Sequence, residues 1–299
     1  MRFFKNSTYE GTMRDTRNSA VVITGTSSGI GRASATRLAR AGFRVFAGIR
    51  EEADAQSLRA EDPAIVPITI DVTDPASIAS AKHQLEGELD GFDGLVDNAG
   101  IGLTAPMEHV PLDVLRRQFE VNVFGQIAVT QALLPLIRRS RGRIVNMGSV
   151  ASHIAIPFGG VLCGCKSVLG AMNDALRLEL RPFGIHVCLI EPGASDTPAA
   201  DKTLGDVERI VQALPPDGRD HYAVMLREFT RRAYEHERAG SPPDVVARAV
   251  HHALTAGKPH IRYPVGKDAR VLVTMPRLLP DRWLDQIRLR LFGIPTEGR

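Results

Sequence analysis

With 299 residues, 43% of them hydrophobic, the chain can bury one large α/β core without a second domain. A formal net charge of +3 and 24% charged residues leave no basic footprint for nucleic acid. The three cysteines (163, 165 and 188) make no disulfide framework and fit a reducing, cytoplasmic setting, and no apolar run reaches the roughly 18 residues of a membrane span.

Residues 1–19 are polar, lack the apolar block of a signal peptide and read as a flexible N-terminal tail in which Met13 is an alternative start. Residues 20–299 read as a single domain. Val21–Thr24 has the β-rich composition of a strand, and Ile30–Ala41 the periodicity of a helix. Strands follow at Arg44–Ile49 and Ile65–Ile70, a helix at Ala76–Glu88, a strand at Gly94–Asp97 and a long helix at Leu112–Arg139. Arg143–Met147 is a strand, Cys163–Arg181 a helix and His186–Ile190 a strand. This alternation predicts a parallel sheet covered on both faces, hence a doubly wound α/β fold of Rossmann type with ligands at the carboxyl ends of the strands.

The pattern changes after Pro192. Thr203–Leu214 and Arg219–Arg238 read as helices around the turn Pro215-Pro216-Asp217-Gly218. Residues 198–240 are therefore expected to form a helical lid inserted after the sixth strand, the alternative being a surface excursion without a gating role. A helix over Pro242–Ala256 and a last strand near His260–Tyr263 complete the sheet; His251-His252 is expected at the surface. Residues 275–295 form a C-terminal amphipathic helix, with Leu279, Trp283, Ile287 and Leu291 on one stripe and arginines elsewhere. Such a stripe is expected to dock on the protein body or a partner subunit rather than on a membrane.

The first strand runs into Thr24-Gly25-Thr26-Ser27-Ser28-Gly29-Ile30-Gly31 and then a helix. Glycines there permit a tight turn and close backbone approach, and the helix start offers unpaired N–H groups and a positive dipole end to a pyrophosphate. The strand–turn–helix context makes this a dinucleotide site. Arg50 follows the second strand with no carboxylate until Glu51, so a 2′-phosphate can pair with the guanidinium, helped by the hydroxyls of Ser27 and Ser28. The cofactor expected is NADP(H).

In this order of motifs the sequence resembles the short-chain dehydrogenases/reductases over roughly residues 20–270. T-G-x-x-x-G-x-G is the family's cofactor turn. Asp71-Val72 resembles its adenine contact, and Asn98-Ala99-Gly100 its N-A-G strap, with Asp97 where a second asparagine is common. Pro192-Gly193 and Thr197 match the segment that contacts the nicotinamide end. The resemblance implies a substrate-polarising Ser149, a structural and catalytic Asn122, and a Lys166 that holds the nicotinamide ribose. It also implies a homo-oligomer formed through the helices carrying Asn122 and Lys166.

Carbonyl reduction needs a hydride and a proton. In the family a tyrosine four residues before the lysine gives the proton; here that position is Leu162, which can donate nothing. Three readings stay open. In the first, a reductase obtains its proton through Ser149 and water, through His153, or through a phenol on the substrate, with Ser149, His153 and Leu162 bounding the pocket. In the second, the chain is a non-redox cyclase or dehydratase. In the third, it is a catalytically silent NADP(H) sensor. The first is favoured because Lys166, Asn122 and Ser149 are all present. The body resembles hydroxysteroid-type members, and the missing tyrosine resembles actinobacterial ketoreductases of polycyclic aromatic polyketides, which implies a bulky hydrophobic ketone as substrate. Cys163 and Cys165 read as packed helix residues; no ligand cluster accompanies them, so no metal is expected.

Overall fold

The computed structural model describes residues 19–296, so the expected tail at 1–18 lies outside the described residues. Seven parallel strands form one sheet in the order β3-β2-β1-β4-β5-β6-β7. They are β1 (Ala20–Ile23), β2 (Arg44–Ile49), β3 (Ile65–Thr69), β4 (Gly94–Asp97), β5 (Arg143–Met147), β6 (His186–Pro192) and β7 (Arg262–Val265). The predicted doubly wound Rossmann-type architecture is thus observed. Strand order reverses at β1, which pairs with β2 on one side and β4 on the other. The crevice beyond that reversal is where such sheets bind ligands.

Each sheet face is closed by helices whose apolar side matches it. Helices α1 (Gly29–Arg40), α2 (Glu52–Arg59) and α9 (Pro243–Thr255) bury Leu38, Leu58 and Val250 against Val21, Ile23 and Ile190. Helices α3 (Pro75–Glu88), α5 (Gly125–Ser140) and α6 (Gly160–Leu180) cover the other face, with Leu85, Leu133 and Leu180 against Val22, Leu95 and Val187. The stretch Leu112–Ser140 is long and apolar enough to cross a membrane, which departs from the expectation of no such segment. It runs as α4 (Leu112–Phe119), a π turn at Glu120–Phe124 and α5, and buries Val129, Leu133, Leu136 and Ile137 in the core instead.

The insertion after β6 is a hairpin of α7 (Pro198–Ala213) and α8 (Pro216–Arg238). Both helices start earlier than the periodicity suggests, because Pro198 and Pro216 occupy their first turns, where a missing N–H costs nothing. Val211, Ala223 and Leu226 make a small separate core with Phe158, which stands just before α6. Phe158 holds a left-handed φ of 57°, rare for an aromatic residue, and its ring meets Tyr222 and Phe229 of α8 edge-on at 6.3 and 5.3 Å. Tyr222 donates to Glu108 at 2.6 Å, tying the hairpin to the segment after β4.

Two expectations are corrected. The C-terminal stripe does not lie on one helix: the chain forms α10 (Ala269–Leu278) and α11 (Asp281–Phe292), broken at Leu279 because Pro280 forbids the helical conformation before it. His252 is buried rather than at the surface, with Nδ1 2.9 Å from the Tyr263 hydroxyl.

Candidate active site

The crevice at the strand-order reversal is built from two loops joined by hydrogen bonds. Thr24 Oγ1 accepts from the backbone N–H groups of Asn98 and Ala99 at 2.9 and 3.0 Å. Asn98 Nδ2 donates to the carbonyls of Thr24 and Gly25 at 3.0 and 2.9 Å. The Asn98 side chain therefore shapes the glycine-rich turn, a partnership its motif alone does not reveal. A Cβ on Gly25 would lie 2.8 Å from Ala99 Cα, and one on Gly31 only 2.1 Å from the Gly25 carbonyl oxygen. Gly25 and Gly29 also adopt left-handed φ values of 68° and 57°, which larger residues resist.

The first turn of α1 holds no acidic residue, and its N-cap, Ser28, is extended and makes no side-chain cap bond. Ser28 is exposed and Ser27 half-buried; Ile30 packs on the core. The turn thus keeps N–H groups and dipole available to an anion. Thr197, N-cap of α7, is brought across from β6: its Cβ lies 3.5 Å from where a Cβ on Gly29 would stand. Pro192 ends β6, and Gly193 N–H donates to Val265 O at 2.9 Å, which sets that strap against β7.

At the other end of the crevice Arg50 is exposed directly after β2. Asp71 accepts from Thr73 N–H and Thr73 Oγ1 at 2.9 and 2.8 Å. The Thr73 N–H bond lowers the Asp71 carboxyl pKa against partial burial, with the Thr73 hydroxyl and the charges of Arg117 and Arg50 adding to it. Val72 is buried, and its carbonyl would lie 2.7 Å from a Cβ on Gly125. These residues fit a dinucleotide: the glycine positions are cradles that any side chain would fill, and the helix start facing them is free of negative charge.

Asn122 sits in the π turn, a distortion that recurs at functional sites. Its amide is fully engaged, Oδ1 accepting from Ile101 N–H at 2.7 Å and Nδ2 donating to Ile101 O at 2.8 Å. Asn122 therefore fixes the chain just after Gly100, whose absent Cβ would come 3.2 Å from Asn122 Oδ1. Ser149, half-buried two residues beyond β5, accepts from Ala151 N–H at 3.1 Å; its hydroxyl hydrogen has no acceptor among the described residues. Lys166 is buried and donates to Met147 O, at the end of β5, at 2.6 Å. Burial pushes its pKa down to about 8. Leu162 is half-buried one helical turn earlier.

His153 closes the 3₁₀ turn Val150–Ser152 that follows Ser149. Its Nε2 stands 2.6 Å from Oε1 of Glu191, which is fully buried and also accepts from Arg262 at 2.7 Å; Arg262 continues to Asp174 at 2.6 Å. The ring is engaged in a carboxylate–guanidinium chain. Of the tyrosine hydroxyls, that of Tyr222 is bound to Glu108 and that of Tyr263 lies against His252. Burial raises the Cys163 and Cys165 thiols, the latter to about 11, so both stay protonated and packed.

Comparison with known proteins places this geometry. A sequence profile of the short chain dehydrogenase family matches residues 19–207. Retinol dehydrogenase 5 of Homo sapiens is 36% identical over 292 residues, spanning 94% of this chain and 91% of that protein. The NADPH-dependent 3-dehydrocapnine reductase of Ornithobacterium rhinotracheale is 33% identical over 275 residues, spanning 89% and 94%. Among solved structures, a short-chain dehydrogenase from Streptomyces avermitilis superposes with a TM-score of 0.72 at 27% identity, covering 92% of this chain and 95% of that one. A short chain dehydrogenase from Burkholderia cenocepacia in complex with NADP shares the fold at a TM-score of 0.68 and 23% identity, covering 92% and 99%.

Proposed function

The chain belongs to the short chain dehydrogenase family of oxidoreductases, and from that premise we propose that it is an NADP(H)-dependent carbonyl reductase of a bulky hydrophobic ketone, working without a tyrosine. One observation carries the reading: Lys166 is bound to Met147 O at the end of β5, two residues before Ser149, whose hydroxyl hydrogen has no acceptor among the described residues, while the side chain one turn before Lys166 is the inert Leu162.

NADP(H) supplies the hydride when bound. Gly25, Gly29 and Gly31 leave backbone room for the pyrophosphate, and Ser27, Ser28 and Ile30 complete the turn that holds it. Arg50 pairs with the 2′-phosphate, and Asp71 and Val72 border the adenine. Asn98, Ala99 and Gly100 wall the nicotinamide side, and Pro192, Gly193 and Thr197 cover its far end. Lys166 grips the nicotinamide ribose, and its positive charge favours the oxyanion that develops as the carbonyl is reduced. Ser149 donates a hydrogen bond to that oxygen and would relay to it a proton from water, which restores the serine hydroxyl as the alcohol forms. A phenol on the substrate beside the ketone, as in a polycyclic aromatic polyketide, adds a hydrogen bond where Leu162 offers only an apolar wall. The words retinol and 3-dehydrocapnine in the relatives' names support a large hydrophobic substrate, and the second supports NADPH. Exposed Phe124 after Asn122, and Met172 and Leu178 on α6, support a homo-oligomer built through these helices.

Turnover of a panel of bulky ketones by wild type, Leu162→Tyr and Ser149→Ala tests the proposal. Ser149→Ala loses most turnover, and Leu162→Tyr gives no gain with phenolic ketones. A large gain from Leu162→Tyr on such substrates contradicts the substrate-assisted route, and full activity of Ser149→Ala contradicts the serine donor. Product formed without nicotinamide oxidation marks a non-redox enzyme instead.

A further inference from the structure

The two C-terminal helices present apolar side chains that the other described residues leave exposed. On α10, Val271 and Leu278 are 46% and 74% exposed; on α11, Trp283, Ile287 and Leu291 are 67%, 42% and 47% exposed. The last three recur every four residues and share one side of α11. The helix is anchored by its other positions: Leu284 and Phe292 are buried, and the Phe292 ring meets Phe229 of α8 at 4.9 Å. The exposed stripe is therefore not the surface by which α11 docks on the body.

The border of this face is basic. Arg277, Arg282 and Arg290 are exposed around it, and between residues 269 and 292 five arginines stand against two aspartates. A second copy packed across a two-fold axis would set this net-basic border against itself, an unfavourable pairing of like charge. An anionic lipid surface meets both halves of the pattern, burying the apolar stripe at the headgroup boundary and neutralising the arginines. We propose that the α10–α11 face seats the protein on anionic lipid. The site gains from this placement, because α10 packs against the turn Val150–Ser152 that follows Ser149, so lipid-borne hydrophobic molecules would arrive beside the reacting end of the crevice.

Trp283 is the only tryptophan in the sequence, so tryptophan emission, excited where tyrosine does not absorb, reports this face alone. The full chain is mixed with vesicles of phosphatidylcholine alone or mixed with phosphatidylglycerol, some carrying brominated acyl chains. The proposal expects a blue shift and bromine quenching with the anionic vesicles, and at least tenfold weaker binding to the neutral ones. Raising salt to about 1 M, where the Debye length shrinks to about 3 Å, weakens binding likewise. Leu278→Ser and Leu291→Ser, both at exposed positions, each lower the vesicle partition coefficient about tenfold while leaving the circular dichroism spectrum unchanged. An emission spectrum unmoved by anionic vesicles overturns the proposal. So does a blue shift that appears with protein concentration alone, which would assign the face to a second copy, and so does equal binding to neutral and anionic vesicles.

Discussion

Replacing Asp97 isolates the electrostatic cost of a buried carboxyl next to the cofactor strap. Asp97 is fully buried at the end of β4; Oδ2 accepts from Thr130 Oγ1 at 2.7 Å, and Oδ1 has no hydrogen-bond partner among the described residues. Burial pushes its pKa up to about 7, the Thr130 bond only partly opposing it. Because the folded pKa exceeds the unfolded value of about 3.9, the folded state holds the proton more tightly. Stability therefore falls as pH rises from about 4 to about 7 and stays low above that. A shift of about three pKa units corresponds to a ceiling of about 4 kcal/mol. Asp97→Asn keeps the shape and the acceptor for Thr130 but never ionises. It is expected to exceed wild type by about 1–1.5 kcal/mol at pH 5 and by up to about 4 kcal/mol at pH 8, several degrees in Tm at the higher pH. Urea unfolding of both proteins from pH 5 to 8 measures the difference, in which other titrating groups cancel. Parallel pH profiles for the two would refute the claim that Asp97 is held protonated by burial.

Other expectations follow from the site. Arg50→Glu removes the partner for a 2′-phosphate and places a carboxylate beside the ribose; the preference for NADPH over NADH should fall by about ten- to a hundredfold, read by cofactor titration. Gly31→Ala sets a methyl on the Gly25 carbonyl, 2.1 Å away, and should abolish dinucleotide binding or destabilise the fold, checked by calorimetry and circular dichroism. Lys166 carries its charge only below about pH 8, so the rate of carbonyl reduction should decline as pH rises through that value, while the amine's desolvation makes stability fall as pH drops from about 10 towards 8. Tyr222→Phe removes the exposed bond to Glu108 and should cost less than about 1 kcal/mol in stability while loosening the α7–α8 hairpin, seen as faster amide exchange in α8.

The sheet was legible because its strands are short apolar runs between turn residues: β2, β4 and β5 have the bounds that their composition suggests. Helix α2 escaped because Glu52–Arg59 is short and polar and buries only Ala55 and Leu58. The π turn at Asn122 was not legible because α4 before it is only eight residues long, too short to fix an apolar phase against which a shift would show. The cofactor turn was readable from its glycines, whereas Thr24 as the link to Asn98 needed the structure. The partner of His153 was not legible for a local reason. Val150–Ser152 is a 3₁₀ turn after which the ring meets Glu191, 38 residues away on β6. The C-terminal stripe misled, because the pattern of apolar residues runs through Pro280 while the helix does not.

The most direct test of an NADP(H)-dependent reductase lacking the tyrosine is to follow deuterium from C4 of labelled NADPH into the alcohol formed from a bulky ketone by the wild-type chain. The account predicts one deuterium at the new carbinol carbon for each NADPH oxidised, with NADH a far poorer donor. Unlabelled product, or tight NADPH binding with no label transferred to any ketone of the panel, would contradict it.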